Sequence, residues 1–280
     1  MNNQHNYETF RWEAAHTEGR MMTHHWPLES PEAVIALVHG QGEHGGRYHH
    51  VAHFMRKHDY ATLAVDLTGH GVSAGKRGHV KNYDCYLKDT EQLIAQCAER
   101  YPDTPIYLYG HSMGGNIVAN FALSEQYQNL FQKLIITSPW FRLAFEPPMA
   151  KVLMGKLVRG LYPSYTELSE LDAQSLSHDP VVNRRYEEDE LVHDSISVSA
   201  FFGVMEAGRY ALDHASGLSH PTLLMHGTGD KVTSCQASEE FSEQASQSMI
   251  HFKAWDGLFH ELHNEIEWKE VLQYVADWLE

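Results

Sequence analysis

Short apolar, β-branched runs alternate with helical patterns along most of this 280-residue chain, and that alternation limits the possible folds more than any other feature. AVIALVHG (33–40), PIYLYG (105–110), KLIITSP (133–139), TLLMHGTGD (222–230) and MIHFKAW (249–255) read as strands, as does the start of YATLAVDLTGHG (60–71). Between them, 48–58, 82–102, 113–126 and 265–280 place apolar residues at helical spacing. Strands alternating with helices predict βαβ units and an α/β fold, with a mostly parallel sheet covered by helices on both faces. The alternation lapses between Trp140 and Leu212, where no segment has the pattern of a buried strand. We read 1–139 and 213–280 as the core and 140–212 as a helical cap inserted between two strands. At the C-terminal edge of the sheet, such an insertion would lie over the site as a lid.

Composition removes several function classes. Hydrophobic residues make up 42%, enough for one large domain with a buried core. A formal net charge of -16 argues against a nucleic-acid partner. No run approaches the roughly 18 apolar residues of a spanning helix, and MNNQHNYETFRWEAA lacks the apolar stretch of a signal peptide. The expectation is a soluble, cytoplasmic protein. The three cysteines, Cys85, Cys97 and Cys235, match no zinc or disulfide framework. Histidine is abundant at 21 residues, but there is no HExxH and no carboxylate completing an evident ligand set, so neither metal nor cofactor is expected.

One stretch carries chemistry. In YLYGHSMGGN, Gly110 and Gly114 flank Ser112 at two residues on either side, between an expected strand and an expected helix. Small residues there let strand and helix approach closely, and the serine sits exposed on a strained turn. Serine needs a base and a group to orient that base. Asp230 follows the strand TLLMHGTG, and His260 lies in the loop after MIHFKAW, which gives the order Ser, Asp, His expected of this architecture. Asp256 competes as the acid but precedes the histidine in its own loop, where it more simply shapes the turn; His263 competes as the base, and His251 falls within a strand. The amide of Met113 opens the helix after the serine. The loop VHGQGEHGGRY (38–48) should supply the second oxyanion donor, for which we take the Gln41 amide. Glu43, His44 and Arg47 follow: either they bind a polar headgroup, or they form an ion pair that stiffens the loop.

Together, LVHGQGEHGGRY, DLTGHGVSAGKRGHV, GHSMGGN, LLMHGTGDKV and GLFHELHNE resemble the monoacylglycerol lipase and lysophospholipase group of the α/β-hydrolases, in order from about residue 37 to 265. The resemblance implies the α/β-hydrolase fold, with Ser112 as nucleophile, Asp230 as acid and His260 as base. It implies Gln41 and Met113 as oxyanion donors, and Glu43, Arg47 and His263 around the glycerol end of the pocket. Gln41 departs from the family, whose members often have a small or apolar residue there; only its backbone N–H is needed. The implied activity is hydrolysis of a fatty-acyl ester, most simply of a monoacylglycerol. Lysophospholipase or general carboxylesterase activity is the alternative. Serine aminopeptidases, haloperoxidases and non-catalytic binding proteins stand further off, the last because no triad member is missing.

The expected cap also suits a lipid substrate. Met149, Val152, Leu153, Leu157 and Leu161 recur at helical spacing, and from Trp140 to Tyr162 four basic side chains face one acidic one. Such a helix either packs its apolar face on the core or touches an anionic membrane surface, and both can hold at once. The partners expected are therefore a small lipid ester and, transiently, a membrane surface.

Overall fold

Six strands run parallel because helices return the chain between them. The computed structural model describes residues 7–169 and 171–280; residues 1–6 of the expected core and Glu170 of the expected cap lie outside it. The strands are β1 (Glu8–Glu13), β2 (Arg20–Trp26), β3 (Ala33–Val38), β4 (Tyr60–Val65), β5 (Ile106–His111), β6 (Lys133–Thr137), β9 (Thr222–Gly227) and β10 (Ile250–Trp255). They form one eight-stranded sheet in the order β1-β2-β4-β3-β5-β6-β9-β10. From β4 to β10 every pairing is parallel, while β1 and β2 join antiparallel at one edge. This is the mostly parallel α/β sheet expected from the alternation.

The sheet has two buried faces. In β3, Val34, Ala36 and Val38 belong to one apolar cluster and Ala33, Ile35 and Leu37 to the other, as a strand covered on both sides requires. Helices α1 (His49–Arg56) and α8 (Trp268–Leu279) supply the second cluster with Val51, Met55, Val271 and Val275. The opposite face is covered by α2 (Asp84–Arg100), α3 (Met113–Leu123), α6 (Val198–Asp213) and α7 (Cys235–Gln244). The register pairs Val38 with Gly110, His111 with Thr137, and Gly227 with Trp255. The loops holding Gln41, Ser112, Asp230 and His260 therefore leave the same edge of the sheet.

Two expectations need correction. The first pair of strands was not anticipated. Strand β1 is an exposed edge, and β2, RMMTHHW, buries histidines rather than aliphatic residues. Those rings are tolerated inside because they are hydrogen-bonded: His25 lies 2.7 Å from both Glu8 Oε1 and Tyr101 Oη, and His24 Nε2 lies 2.9 Å from Asp66 Oδ1. The second concerns the segment 140–212 read as the cap, not all of which stands off the sheet. Helix α6 packs along α3 as part of the layer covering the sheet: Asn116 Nδ2 donates to Val204 O at 3.0 Å, and Asn120 Nδ2 to Ala207 O at 3.1 Å. Gly208 meets the Phe141 backbone so closely that an added Cβ would lie 2.3 Å from its carbonyl oxygen. What stands off the sheet is α4 (Met149–Leu161), α5 (Pro180–Glu188) and a short antiparallel pair, β7 (Thr166–Leu168) with β8 (Ser195–Ser197).

Asn116 also donates to Trp140 O at 2.7 Å and accepts from Tyr83 Oη at 2.6 Å, so one buried amide joins three segments. We expect Asn116→Ala to cost about 2–4 kcal/mol, because buried carbonyls lose their donor. A urea-denaturation midpoint equal to that of the wild type would refute this account of how α6 is held.

Candidate active site

Strand β5 ends at His111, and α3 begins at Met113, leaving Ser112 alone to turn the chain. Its backbone sits at φ 54°, ψ -116°, a region L-residues avoid. The turn is tight enough to exclude side chains on both sides. A Cβ on Gly110 would lie 2.4 Å from Gly114 O, and one on Gly114 would lie 2.0 Å from Val38 O. Backbone bonds from Ser112 N to Thr137 O (2.9 Å), and to Ser112 O from Asn116 N (3.0 Å) and Trp140 N (2.9 Å), hold the strained residue in place. The Met113 amide is the first of α3, where N–H groups lack intrahelical partners and the helix dipole favours an anion.

The three residues picked from chain order meet here. Ser112 Oγ lies 3.0 Å from His260 Nε2, and His260 Nδ1 lies 2.7 Å from Asp230 Oδ2. The Asp230 carboxylate is further held by the Val232 and Thr233 amides (2.7 and 3.0 Å), the Thr233 hydroxyl (2.9 Å) and His226 Nε2 (3.0 Å). Burial alone would raise its pKa, but the facing imidazoles of His260 and His226 hold it well below the usual carboxylate range. Burial likewise works against a charged His260, and the Asp230 carboxylate outweighs it, so His260 is more basic than an ordinary histidine. A buried carboxylate that keeps its charge beside a base is an arrangement able to orient the imidazole and stabilise its protonated form. Asp256 is spent elsewhere, accepting from Thr228 Oγ1 at 3.3 Å.

The loop after β3 wraps the other side of Ser112. Gln41 lines the cavity there. Its side chain is turned to the cap, donating to Ser195 O at 3.0 Å, which leaves its backbone as the part that can serve an oxyanion. Glu43 also lines the cavity, whereas Arg47 and His263 do not. Arg47 donates to Glu43 at 2.6 Å and, with both terminal nitrogens, to Glu261 at 2.7 and 2.8 Å. Of the two readings of this loop, the ion pair is therefore formed. His263 is fully buried, stacked on Tyr48 with ring centres 4.8 Å apart. Burial pushes it down to about 3, against the opposing charge of Glu261. Glu261, His226 and Thr233 were not singled out from the sequence. Only their adjacency to His260 and Asp230 in the chain could have signalled them.

A cavity of about 720 Å³ opens at Ser112. Its far wall comes from the cap and α6: Val152, Met154, Gly155, Val158, Phe201 and Phe202, with Leu143 and Ile196 nearby. Helix α4 does not pack as a conventional lid. None of its residues is buried, and Met149, Leu153, Leu157 and Leu161 form an exposed stripe at four-residue spacing, from 61% to 89% accessible. Its other face, with Val152, Gly155 and Val158, looks into the cavity.

Among the described residues, only His24, His44 and Asp66 approach metal-ligand spacing. Their ring nitrogens already have partners: Tyr7 Oη and Asp66 Oδ1 for His24, the Gly46 amide and Asp189 Oδ2 for His44. Both nitrogens of each ring are thus engaged by hydrogen-bond partners, so the donor set fits a hydrogen-bonded core better than an ion. The described cysteines are unpaired thiols, and no described helix is long and apolar enough to cross a membrane.

The family described as "Serine aminopeptidase, S33" matches residues 29–267. The chain belongs to this family. A monoacylglycerol lipase of Mycolicibacterium smegmatis is 32% identical over 258 residues, 90% of either chain. An uncharacterized abhydrolase domain-containing protein of Dictyostelium discoideum is 35% identical over 254 residues, which is 90% of this chain but 27% of that longer protein. The crystal structure of a Paleococcus ferrophilus monoacylglycerol lipase superposes with a TM-score of 0.82 at 27% identity, covering 98% of each chain. The chain is thus a monoglyceride-lipase-like α/β-hydrolase, as the motifs implied.

The two histidines of the loop after β10 should titrate apart. By NMR, we expect the His260 ring to show a midpoint above the ordinary 6.5, while His263 stays neutral throughout the neutral range. Equal midpoints would overturn the electrostatic description of this loop.

Proposed function

We propose that this protein hydrolyses monoacylglycerols to a fatty acid and glycerol through an acyl-enzyme on Ser112. Family membership and the named relatives make it a hydrolase of lipid carboxylic esters. The observation that carries the finer reading is the bonded chain Ser112–His260–Asp230 opening into a cavity with apolar cap walls. His260 takes the Ser112 proton as Oγ attacks the ester carbon, and the amides of Gln41 and Met113 receive the oxyanion. The protonated ring then gives that proton to the departing alkoxide, and water repeats the sequence to free the acid. Asp230 orients His260 and stabilises its imidazolium form throughout.

The leaving alcohol favours glycerol over a phosphate-bearing headgroup. Two carboxylates, Glu43 and Glu261, stand in the cavity wall beside Ser112, and the Arg47 guanidinium behind them is already shared between both. A neutral polyol can lie against that wall without charge repulsion, whereas a phosphate would be repelled by its net negative charge. In this reading Glu43 contacts the headgroup, and Arg47 and His263 support it from behind.

The exposed stripe of α4 supports transient contact with a membrane surface, where such substrates reside, by a protein held in the cytoplasm. Arg142 and Arg159 are paired with Glu240 and Glu206, so apolar insertion contributes more than the excess of basic residues.

Ser112→Ala should lower kcat about 10⁶-fold and abolish fluorophosphonate labelling; near-normal turnover would sink the triad. Against a panel of monoacylglycerols, lysophospholipids, short p-nitrophenyl esters and an aminoacyl p-nitroanilide, we expect clear preference for a monoacylglycerol. Turnover of short activated esters alone would reduce the reading to a general esterase, and preference for the anilide would replace it with a peptidase. Leu153→Ser with Leu157→Ser should weaken flotation with lipid vesicles while leaving hydrolysis of a soluble short ester near the wild-type rate. Undiminished flotation would remove α4 from the contact.

A further inference from the structure

Three charged side chains lie buried between the loop that carries Gln41 and the loop that carries His260. Glu43 and Glu261 are each 2% exposed, and the Arg47 side chain 10%. Arg47 Nη1 donates to Glu43 Oε2 at 2.6 Å and to Glu261 Oε1 at 2.7 Å, and Nη2 donates to Glu261 Oε2 at 2.8 Å. The outer oxygens are occupied too. Glu43 Oε1 accepts from the Gly40 amide (2.7 Å) and Tyr48 Oη (2.8 Å), and Glu261 Oε2 accepts from Asn264 Nδ2 (2.6 Å).

The two loops have no backbone ladder between them. They follow β3 and β10, which β5, β6 and β9 separate in the sheet. Gly40 immediately precedes Gln41, and Glu261 immediately follows His260. A rigid chain of contacts thus runs from the residue beside the base, through a bidentate guanidinium, to the peptide beside the oxyanion amide. We propose that Glu261, acting through Arg47, is a positioning residue that sets His260 against the Gln41 amide, resting on the reading of Ser112, His260 and Asp230 as the triad. A fork-to-carboxylate pair fixes both distance and plane, which a point charge such as lysine does not.

Glu261 has a second effect, on the charge of the base. The groups facing His260 are Asp230 and Thr233 from the loop after β9, Glu43 from the loop after β3, His111 from the end of β5, and Glu261 and His263 from its own loop. Burial keeps His111 and His263 neutral, and burial of Glu261 is outweighed by Arg47, so that carboxylate stays ionised. Glu261 therefore adds to Asp230 in favouring protonated His260.

The test is kcat and KM on a soluble short-chain ester across pH, for wild type, Glu261→Gln, Glu261→Asp and Arg47→Lys. Glutamine keeps the shape and one acceptor but loses the charge. We expect kcat to fall about tenfold or more, and the acid limb of kcat/KM to move down by about half a pH unit, since His260 loses an anion that favours its protonated form. Aspartate keeps the charge but cannot span the fork. It should lower kcat and leave the acid limb in place, and Arg47→Lys should do the same. Those two variants carry the test if the glutamine variant does not fold. Wild-type kcat with an unmoved limb in the variants, or a raised KM at unchanged kcat, overturns the proposal; the latter would make Glu261 a substrate contact. Absence of fluorophosphonate labelling at Ser112 in the wild type would instead remove the triad reading itself.

Discussion

The backbone of Ser112, forced to φ 54° between β5 and α3, is the constraint from which the rest of the site follows. A single residue turns the chain from strand to helix only if the two elements nearly touch, and Gly110 and Gly114 leave no atoms in the way. That closeness does two things at once. It lifts the hydroxyl above the sheet edge, and it puts the first free amide of α3 next to it. The strain, of order 1–3 kcal/mol for such a conformation, persists because β6 holds the residue by its amide, and α3 and the segment after β6 hold it by its carbonyl. The sheet is thus the source of the geometry, and its register is why three loops far apart in sequence reach one hydroxyl.

Around that hydroxyl, the same side-chain type takes opposite charge states according to its neighbours. His260 has a carboxylate at 2.7 Å and is made more basic, while His111 and His263, equally buried, are kept neutral. The carboxylates behave in the complementary way. Asp230 and Glu261 have pKa values depressed by their partners, so the stability they contribute is present above the ordinary carboxylate pKa and is lost as pH falls towards their folded values. The bonds that organise the site therefore also tie its integrity to ionised acids in the interior.

Much of this was legible in the sequence. The parallel strands stood out because burial on both faces demands continuous β-branched runs, and Ser112, Asp230 and His260 because each follows such a run. The rest depended on contacts between distant segments. Strand β2 was missed because HHW is polar by composition, and its rings become core only through Glu8, Tyr101 and Asp66. Helix α6 read as cap because amphipathic spacing does not say which surface receives the apolar face. For α4 the same ambiguity ran the other way: the stripe 149, 153, 157, 161 faces outward. Glu261 was invisible because a carboxylate after a histidine means nothing until Arg47 arrives from 214 residues away.

The cap itself divides by what holds it. The segment from Tyr186 to Ser197 is stitched to the loop after β3 and its neighbours. The His193 amide donates to Gly42 O at 2.8 Å and Gln41 Nε2 to Ser195 O at 3.0 Å, His44 Nε2 lies 3.0 Å from Asp189, and Tyr186 covers Arg47 at 4.7 Å. Helix α4 buries no residue and leans on the core through the cavity-facing side of a single face. Widening the cavity to admit a long apolar chain therefore costs least at α4, where few contacts are lost, and most beside Gln41, where a shift would disturb the bonded loop after β3. The two ends of the cavity are built to different tolerances. The end at Glu43 and Glu261 is fixed by charge and backbone bonds. The end under α4 is bounded only by apolar contact, which discriminates poorly between chains differing by one methylene, each worth about 0.8 kcal/mol.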